Sequence, residues 1–345
     1  MEQIMMSIAA CGEGAAAELV GDTYREVVDL WAKERELLRE VQPCTARKAR
    51  QKALLFEPWI GGKRVSEIDP ESIRNALIYL GQNGGRLSAG LSSATLRAAH
   101  MAGTQAVDWA VGRGMTPANV FRRVLRPKAY YRQSNFLTMP QASRLTTLMS
   151  DNLSRCMREG KVSQVSYSLA VCIALATGLR RGEVFALTWD DFDEEVFRIS
   201  VAKAVKADGA VGLPKTLSGL RSVAVGSSLS AMLADVREWH KKLFPERDEL
   251  GSQCVICGRD GQRASLNAFE HWWRAWADRN DLKGLRYHEL RHTHATLLIS
   301  RGVDVKTVQM RLGHSSAEIT MSCYAHAIPL SDGMAAASLD AALFS

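Results

Sequence analysis

Between residues 22 and 125 the apolar positions of the chain recur at helical spacing. In TYREVVDLWAKERELL (23–38), Tyr24, Val27, Val28, Trp31 and Leu38 share one face, with Asp22 or Thr23 placed to cap the first turn. A basic stretch, TARKARQKALLFEPWIGGKR (45–64), ends at Gly61 and Gly62. DPESIRNALIYL (69–80) has an Asp cap and Pro in its first turn, and SSATLRAAHMAGTQAVDWAVGRG (92–114) is amphipathic and stopped by glycine. The Gly-rich run at 81–90 reads as the loop between them. The pattern predicts a compact helical domain of four or five helices over 22–125, a linker over 126–136 broken by Pro127, and short tails at 1–21 and 331–345.

The larger part, 137–330, is helical with a strand-rich island. LTMPQASRLTTLM (137–149) starts a helix, and SYSLAVCIALAT (166–177) is apolar on nearly every side, which predicts burial. Alternating β-branched residues in DEEVFRISVAK (193–203), around Lys215 and in LRSVAVGSS (220–228) read as three short strands. Further helices are expected at 227–243, 265–280, 288–301 and 304–312. The fold class is therefore mainly α with a small antiparallel β-sheet.

Charge sharpens this division. Residues 22–132 carry 19 Lys and Arg against 11 Asp and Glu, which accounts for nearly all of the chain's formal +7. A basic helical domain is the electrostatic footprint of a nucleic-acid grip, although a solvated surface has the same composition. No apolar run approaches the roughly 20 residues of a membrane span, and the apolar patch near the N-terminus lacks the basic flank of a secretory signal. Seven scattered cysteines fit free thiols in a reducing cytoplasm better than a disulfide framework. The expected setting is cytoplasmic, close to the nucleoid, with no membrane association.

Four segments place phosphate-handling groups at turns and helix starts. In ATGLRRGEVFALTW (176–189) a helix begins near Leu179, so Arg180 sits in its first turn with Glu183 on the same face. LPKTLSGLRSVAV (213–225) is a basic hairpin bearing Lys215, with Lys203 and Lys206 as competing cations. In YHELRHTHATLL (287–298), His288 and Arg291 are three residues apart and project to one side. In VQMRLGHSSAEITMSCYAHA (308–327), Gly313 ends one helix, His314 lies in the turn, Ser315 and Glu318 form a capping-box pattern, and the next helix carries Tyr324.

This ordered set of Arg, Lys, His-x-x-Arg, His and Tyr, spanning about 137–328, resembles the tyrosine recombinase family of phage and transposon integrases. The resemblance implies a helical core-binding (SAM-like) domain followed by a catalytic domain, clamping duplex DNA from two sides. It implies DNA strand breakage and rejoining through a 3′-phosphotyrosine and a Holliday junction, by four protomers on two specific DNA sites. Neither metal nor any other cofactor is called for, and a directionality or accessory DNA-bending factor has a place beside them. By residue, Arg180 and Arg291 would clamp the phosphate, His288 and His314 would assist, Tyr324 would attack and Lys215 would protonate the leaving oxygen. Glu183 would orient Arg180, and His292 would support the helix. Too little chain precedes residue 22 for a separate arm-binding domain, so a simpler recombinase is expected. The tail 331–345, with Met334, Leu339, Leu343 and Phe344, suits exchange between subunits or packing on its own protomer.

The physics runs the same way. Attack on a phosphodiester builds negative charge on its oxygens, and guanidinium forks neutralise it at any working pH. A phenol with a pKa of about 10 needs such surroundings to become a nucleophile. In the basic domain Arg47, Lys48, Arg50, Thr95 and Arg97 are candidate DNA contacts from their helix positions.

Other readings compete for the same residues. His288-Glu289-Leu290-Arg291-His292 spells the H-E-x-x-H zinc motif, but Ala295 and Leu298 stand where the longer motif needs Gly and His. Cys254 and Cys257 have half the spacing of a zinc knuckle, without a second pair, and read as a strand entering a turn. Trp272, Trp273 and Trp276 read as helix-packing core, and His294 flanks the active face. A type IB topoisomerase shares the chemistry, and a DNA-binding regulator that has lost catalysis would show a broken Arg/His/Tyr set.

Overall fold

The computed structural model describes residues 22–85, 88–130, 135–206, 209–214, 217–245, 253–314 and 339–344. Lys215, Tyr324, the Ser315/Glu318 capping pattern and the tail's Met334 lie outside them. The chain divides into two compact units, residues 1–132 and 133–345.

The described regular elements of the first unit are helical, with α1 (Tyr24–Leu37), α2 (Pro43–Ala53), the single-turn α3 (Glu57–Ile60), α4 (Pro70–Asn83) and α5 (Ser93–Val111). Each long helix starts where a local signal says it should. Thr23 and Glu26 form a capping box on α1, Asp69 accepts from Ser72 N at 2.7 Å on α4, and Ser92 caps α5. Helix α4 runs three residues past the expected stop, to Asn83, and the loop begins at Gly84. Small residues on α5 let the core close. A Cβ at Gly103 would lie 2.5 Å from the ring of Phe121, which also meets Tyr24 and Phe56 edge or face on. The segment after this core is held back onto α5, with Tyr130 N donating to Ser93 Oγ at 2.9 Å.

The second unit contains α6 (Met139–Arg158), α7 (Val162–Thr177), α8 (Arg181–Ala186), β1 (Phe192–Asp193), β2 (Arg198–Val201), β3 (Ala204–Val205), β4 (Val211–Gly212), β5 (Arg221–Ala224), α9 (Ser227–Leu243), α10 (Leu266–Arg279), α11 (Glu289–Ser300) and α12 (Val305–Leu312). As its composition predicts, α7 is buried along most of its length and runs through the core. It stops at Gly178, whose φ of +71° favours glycine, and a Cβ there would lie within 2.7 Å of both Leu312 and His294. That close approach brings the end of α7 against α11 and α12.

The strands differ from expectation in one respect. The three-stranded antiparallel sheet has the order β1-β2-β5, with Ile199 opposite both Phe192 and Val223, so its first strand precedes β2 rather than lying near Lys215. The chain between β2 and β5 instead makes a separate two-stranded ribbon, Ala204–Val205 against Val211–Gly212, and has left it by Leu213. The alternation in sequence could not distinguish these, because a pair of two-residue strands carries too few positions to show a period.

Two buried aromatics place the start of α11. Trp273 donates from Nε1 to Leu285 O at 3.0 Å, and Tyr287 donates from its hydroxyl to Ala170 O of α7 at 2.8 Å. The tryptophans of α10 are core, as read from the sequence, with Trp273 and Trp276 buried and Trp272 packed against them. Cys254 bridges to Thr188, and Cys257 is buried with its N–H on Ser166 Oγ at 3.0 Å and its sulfur 3.5 Å from His240 Nε2. Both cysteines of the C-x-x-C are therefore parts of the strand and turn. No helix among the described residues is long and apolar enough to cross a membrane.

Candidate active site

The site is built around the C-terminal end of α12. A helix leaves its last carbonyls without intrahelical donors, and its dipole makes that end attractive to cations. Three arginines from three distant segments use three consecutive carbonyls there. Arg221 donates from Nε to Arg311 O at 2.8 Å, Arg291 from Nη2 to Leu312 O at 2.7 Å, and Arg180 from Nη2 to Gly313 O at 2.9 Å. Gly313 holds the turn with φ +65°, and His314 follows it directly.

Each arginine has a second anchor. Arg291, 3 % exposed, also donates to Gly178 O at 2.7 Å, tying α11 to the end of α7. Arg180 lies one residue before α8 with extended backbone, not in its first turn as the spacing suggested. Glu183 explains the offset. Its carboxylate accepts from Arg180 N at 2.8 Å and from Nη1 at 2.9 Å, so the residue caps the helix it precedes. Glu183 is buried and also accepts from Arg221 at 2.8 and 3.1 Å. Burial works against its charge, but the hydrogen bonds and charges of Arg221 and Arg180 together outweigh that and hold its pKa below the usual carboxylate range.

His288 likewise stands just before its helix, as the N-cap of α11. Its ring meets that of His292 edge-on at 5.2 Å. Glu289 is turned inward, accepting from Arg286 N at 2.6 Å, Arg286 Nη2 at 2.7 Å and Asn135 N at 3.2 Å. The would-be base of the H-E-x-x-H reading is therefore engaged in holding backbone. Among the described residues no group of three or more His, Cys, Asp or Glu is placed to share a metal ion.

The sequence model of the Phage integrase family matches residues 136–329, which takes in all of this constellation. The chain belongs to the phage integrase family. Relatives include the ICEBs1 integrase of Bacillus subtilis (strain 168), 32 % identical over 173 residues, covering 48 % of this chain and 46 % of that protein. The tyrosine recombinase XerC-like protein of Caldanaerobacter subterraneus subsp. tengcongensis is 30 % identical over 177 residues, covering 46 % of this chain and 44 % of its own. The chain thus aligns with about half the length of these two relatives. Among solved structures, the Tn1549 transposon integrase in complex with transposon right end DNA superposes with a TM-score of 0.70 at 20 % identity, over 92 % of this chain and 99 % of that one. A lambda integrase tetramer bound to a Holliday junction gives 0.61 at 16 % identity, over 92 % and 86 %. At these identities the likeness is one of fold.

Within this family member burial, and after it the charges of the arginines, set the electrostatics of the site histidines. Although the His288 ring reaches solvent, the surrounding protein, and then the charges of His292, Arg291, Arg180 and Arg286, bring its pKa down to about 4. His314 is held at about 4 by burial and by Arg291, Arg180, His292 and Arg221. Both rings are therefore neutral at pH 7 and able to donate one N–H each. His294 is structural. Its Nδ1 faces Leu175 O at 2.9 Å and must carry the proton, so Nε2 accepts from Arg311 Nε at 3.1 Å. Burial and Arg311 lower its pKa to about 3, and burial takes that of His240 to about 4.

These depressions fix a sign for pH dependence. The unfolded chain binds protons at these four histidines below about pH 6.5, where the folded chain does not. Their contribution is complete above that pH and is lost as pH falls toward 4. Thermal melts are expected to drop between pH 6.5 and 4.5, with net proton uptake on unfolding; a flat profile there would contradict the geometry.

The structure brings together Arg180, Glu183, His288, Arg291, His292 and His314. The sequence reading missed Arg221 and Arg311. A signal existed for the first: alternation along β5 puts Arg221 on the same inward face as Val223, an unusual place for a charge. Of the basic-domain candidates, Arg47 and Lys48 are exposed on α2. Arg50 pairs with Asp29 at 2.6 Å, Thr95 lies in the cap of α5, and Arg97 reaches Pro127 O at 3.4 Å.

Proposed function

We propose that the chain is a site-specific DNA recombinase of the integrase type, cutting and rejoining strands through a 3′-phosphotyrosine without metal or ATP. The observation that carries this reading is the seating of Arg180 and Arg291 on neighbouring carbonyls beside His314. Residues up to 134 positions apart in sequence are thereby set to face one anion. Both arginine side chains are oriented before any ligand arrives, which is what electrostatic stabilisation of a phosphoryl transition state requires.

In this mechanism Arg180 and Arg291 neutralise the nonbridging oxygens of the scissile phosphate. His288 and His314 donate hydrogen bonds to it, and a bound diester, being anionic, favours their protonated forms. Tyr324 attacks phosphorus as its proton passes to a neutral histidine of the site or to solvent, the 5′-oxygen departs with a proton from Lys215, and the protein–DNA phosphodiester conserves the energy of the broken one. Reversal by a 5′-hydroxyl from a second duplex rejoins the strand, so strand exchange between two sites passes through a Holliday junction. Glu183 orients Arg180, and His292 supports His288.

The partners follow from the chemistry. Duplex DNA at specific sites is the substrate, gripped through phosphates by the basic first unit, residues 22–125, with Arg47 and Lys48 its exposed contacts, and by the catalytic unit, 137–330. Four copies act on two sites in the cytoplasm, at the nucleoid, with room for an accessory or directionality factor. Residues 339–344 are helical, and Leu339, Leu343 and Phe344 are all exposed, a face suited to docking on a second copy. Removal of 331–345 is then expected to lower two-site recombination while single-site cleavage persists; equal rates for both proteins would place the tail outside the assembly.

The test of the reading is covalent trapping. The protein is incubated in EDTA with fragmented, nicked DNA from its source replicon and run on a denaturing gel. A protein–DNA adduct that survives denaturation is expected. Tight, site-selective binding without any adduct would favour a non-catalytic regulator.

A further inference from the structure

Arg221 lies in the Lys215 segment but outside the ordered Arg, Lys, His-x-x-Arg, His and Tyr set, yet its 7 % exposed side chain reaches three separate pieces of the site. Nη1 and Nη2 hold the two oxygens of Glu183 at 3.1 and 2.8 Å. Nε holds Arg311 O at 2.8 Å, and Nη1 also reaches Gly219 O at 3.0 Å. The turn before His314 packs on the same guanidinium, since a Cβ at Gly313 would lie 3.0 Å from Arg221 Nη1 and 2.7 Å from Ser218 O.

Resting on the phosphate-clamp reading above, we propose that Arg221 is a positioning residue for the cleavage step: through Glu183 it fixes the guanidinium of Arg180, and through Arg311 O it fixes the turn that carries His314. It does so from behind, without touching DNA. Arg180 is 39 % exposed and is held at Glu183 by a carboxylate it shares with Arg221. Take the second guanidinium away, and a buried carboxylate keeps one cationic partner where it had two. Glu183 then draws Arg180 toward itself and away from the phosphate, while the Arg311 carbonyl loses its donor. Lysine cannot replace the fork, because one ammonium cannot span two carboxylate oxygens and a carbonyl in one plane.

The experiment uses the full chain carrying Arg221→Lys, which keeps the charge, beside the unaltered protein and Arg180→Ala. The substrate is the nicked duplex that the unaltered protein is found to cleave, made with an ordinary phosphate and with a neutral methylphosphonate at the scissile position. Arg221→Lys is expected to melt cooperatively and to bind DNA like the unaltered protein. It should cleave the ordinary diester more slowly by about tenfold or more. Most of that deficit should vanish on the methylphosphonate, as for Arg180→Ala, because a group that acts by placing Arg180 matters only while there is charge to neutralise. A deficit equally large on both substrates, or no deficit on the diester, would overturn the proposal. If no nicked duplex is found that the unaltered protein cleaves, the recombinase reading has failed. The positioning claim falls with it, whereas cleavage by the unaltered protein with no charge-dependent deficit in Arg221→Lys overturns the positioning claim alone.

Discussion

Tyr324→Phe is expected to abolish the covalent protein–DNA adduct while leaving DNA affinity as it was. The substitution removes one oxygen and keeps the ring, so only the nucleophile is lost. Removing a nucleophile typically costs about 10⁴-fold or more in rate, which takes the adduct below detection on a denaturing gel. The assignment rests on the position of Tyr324 ten residues after His314 in the family's order. An adduct of undiminished yield in the Phe variant would show that another group attacks. Equal binding with no adduct from either protein would remove the strand-cleavage reading altogether.

Arg291→Ala is expected to slow cleavage by about 10²–10³-fold, the usual cost of deleting one preorganised transition-state donor. It should also lower the melting temperature. Arg291 is almost fully buried and holds Gly178 O and Leu312 O at 2.7 Å each. Deleting it leaves two carbonyls without those donors, at about 1–3 kcal/mol for each buried group unsatisfied. Arg291→Lys should recover little of either loss, because a single ammonium cannot bridge two carbonyls and a phosphate. Single-turnover cleavage with thermal melts separates the contributions. A lowered melting temperature with cleavage intact would make Arg291 a structural tie alone and deprive the phosphate site of its centre.

Helix starts at Thr23, Asp69 and Ser92 were readable because a cap is a contact between residues three apart. Burial of α7 was readable because its apolar residues cover every side. Arg180 and His288 were placed correctly in order, yet each was assigned to a helix that begins one residue later. The error is small in sequence and large in chemistry, since a residue ahead of a helix projects differently from one on it.

The partners of the basic-domain candidates were less legible. Arg50 and Arg97 were proposed from helix position, and in the structure the first pairs with Asp29 while the second reaches Pro127 O. Neither partner is near in sequence, so no periodicity announces them. The same applies to β1, whose two residues pair with β2.

By itself the sequence determined the helical periodicity, the caps, the basic first domain and the ordered set of arginine, histidine and tyrosine positions, all of them properties of one residue and its near neighbours. Tertiary structure alone decided that Arg180, Arg221 and Arg291 meet on the carbonyls of residues 313, 311 and 312. It also decided that Glu183 bridges two of those arginines and that His294 is locked to Arg311. The physical reason is that the unsatisfied carbonyls of a helix end will accept any donor, and which donors arrive depends on how distant segments pack rather than on the residues beside it.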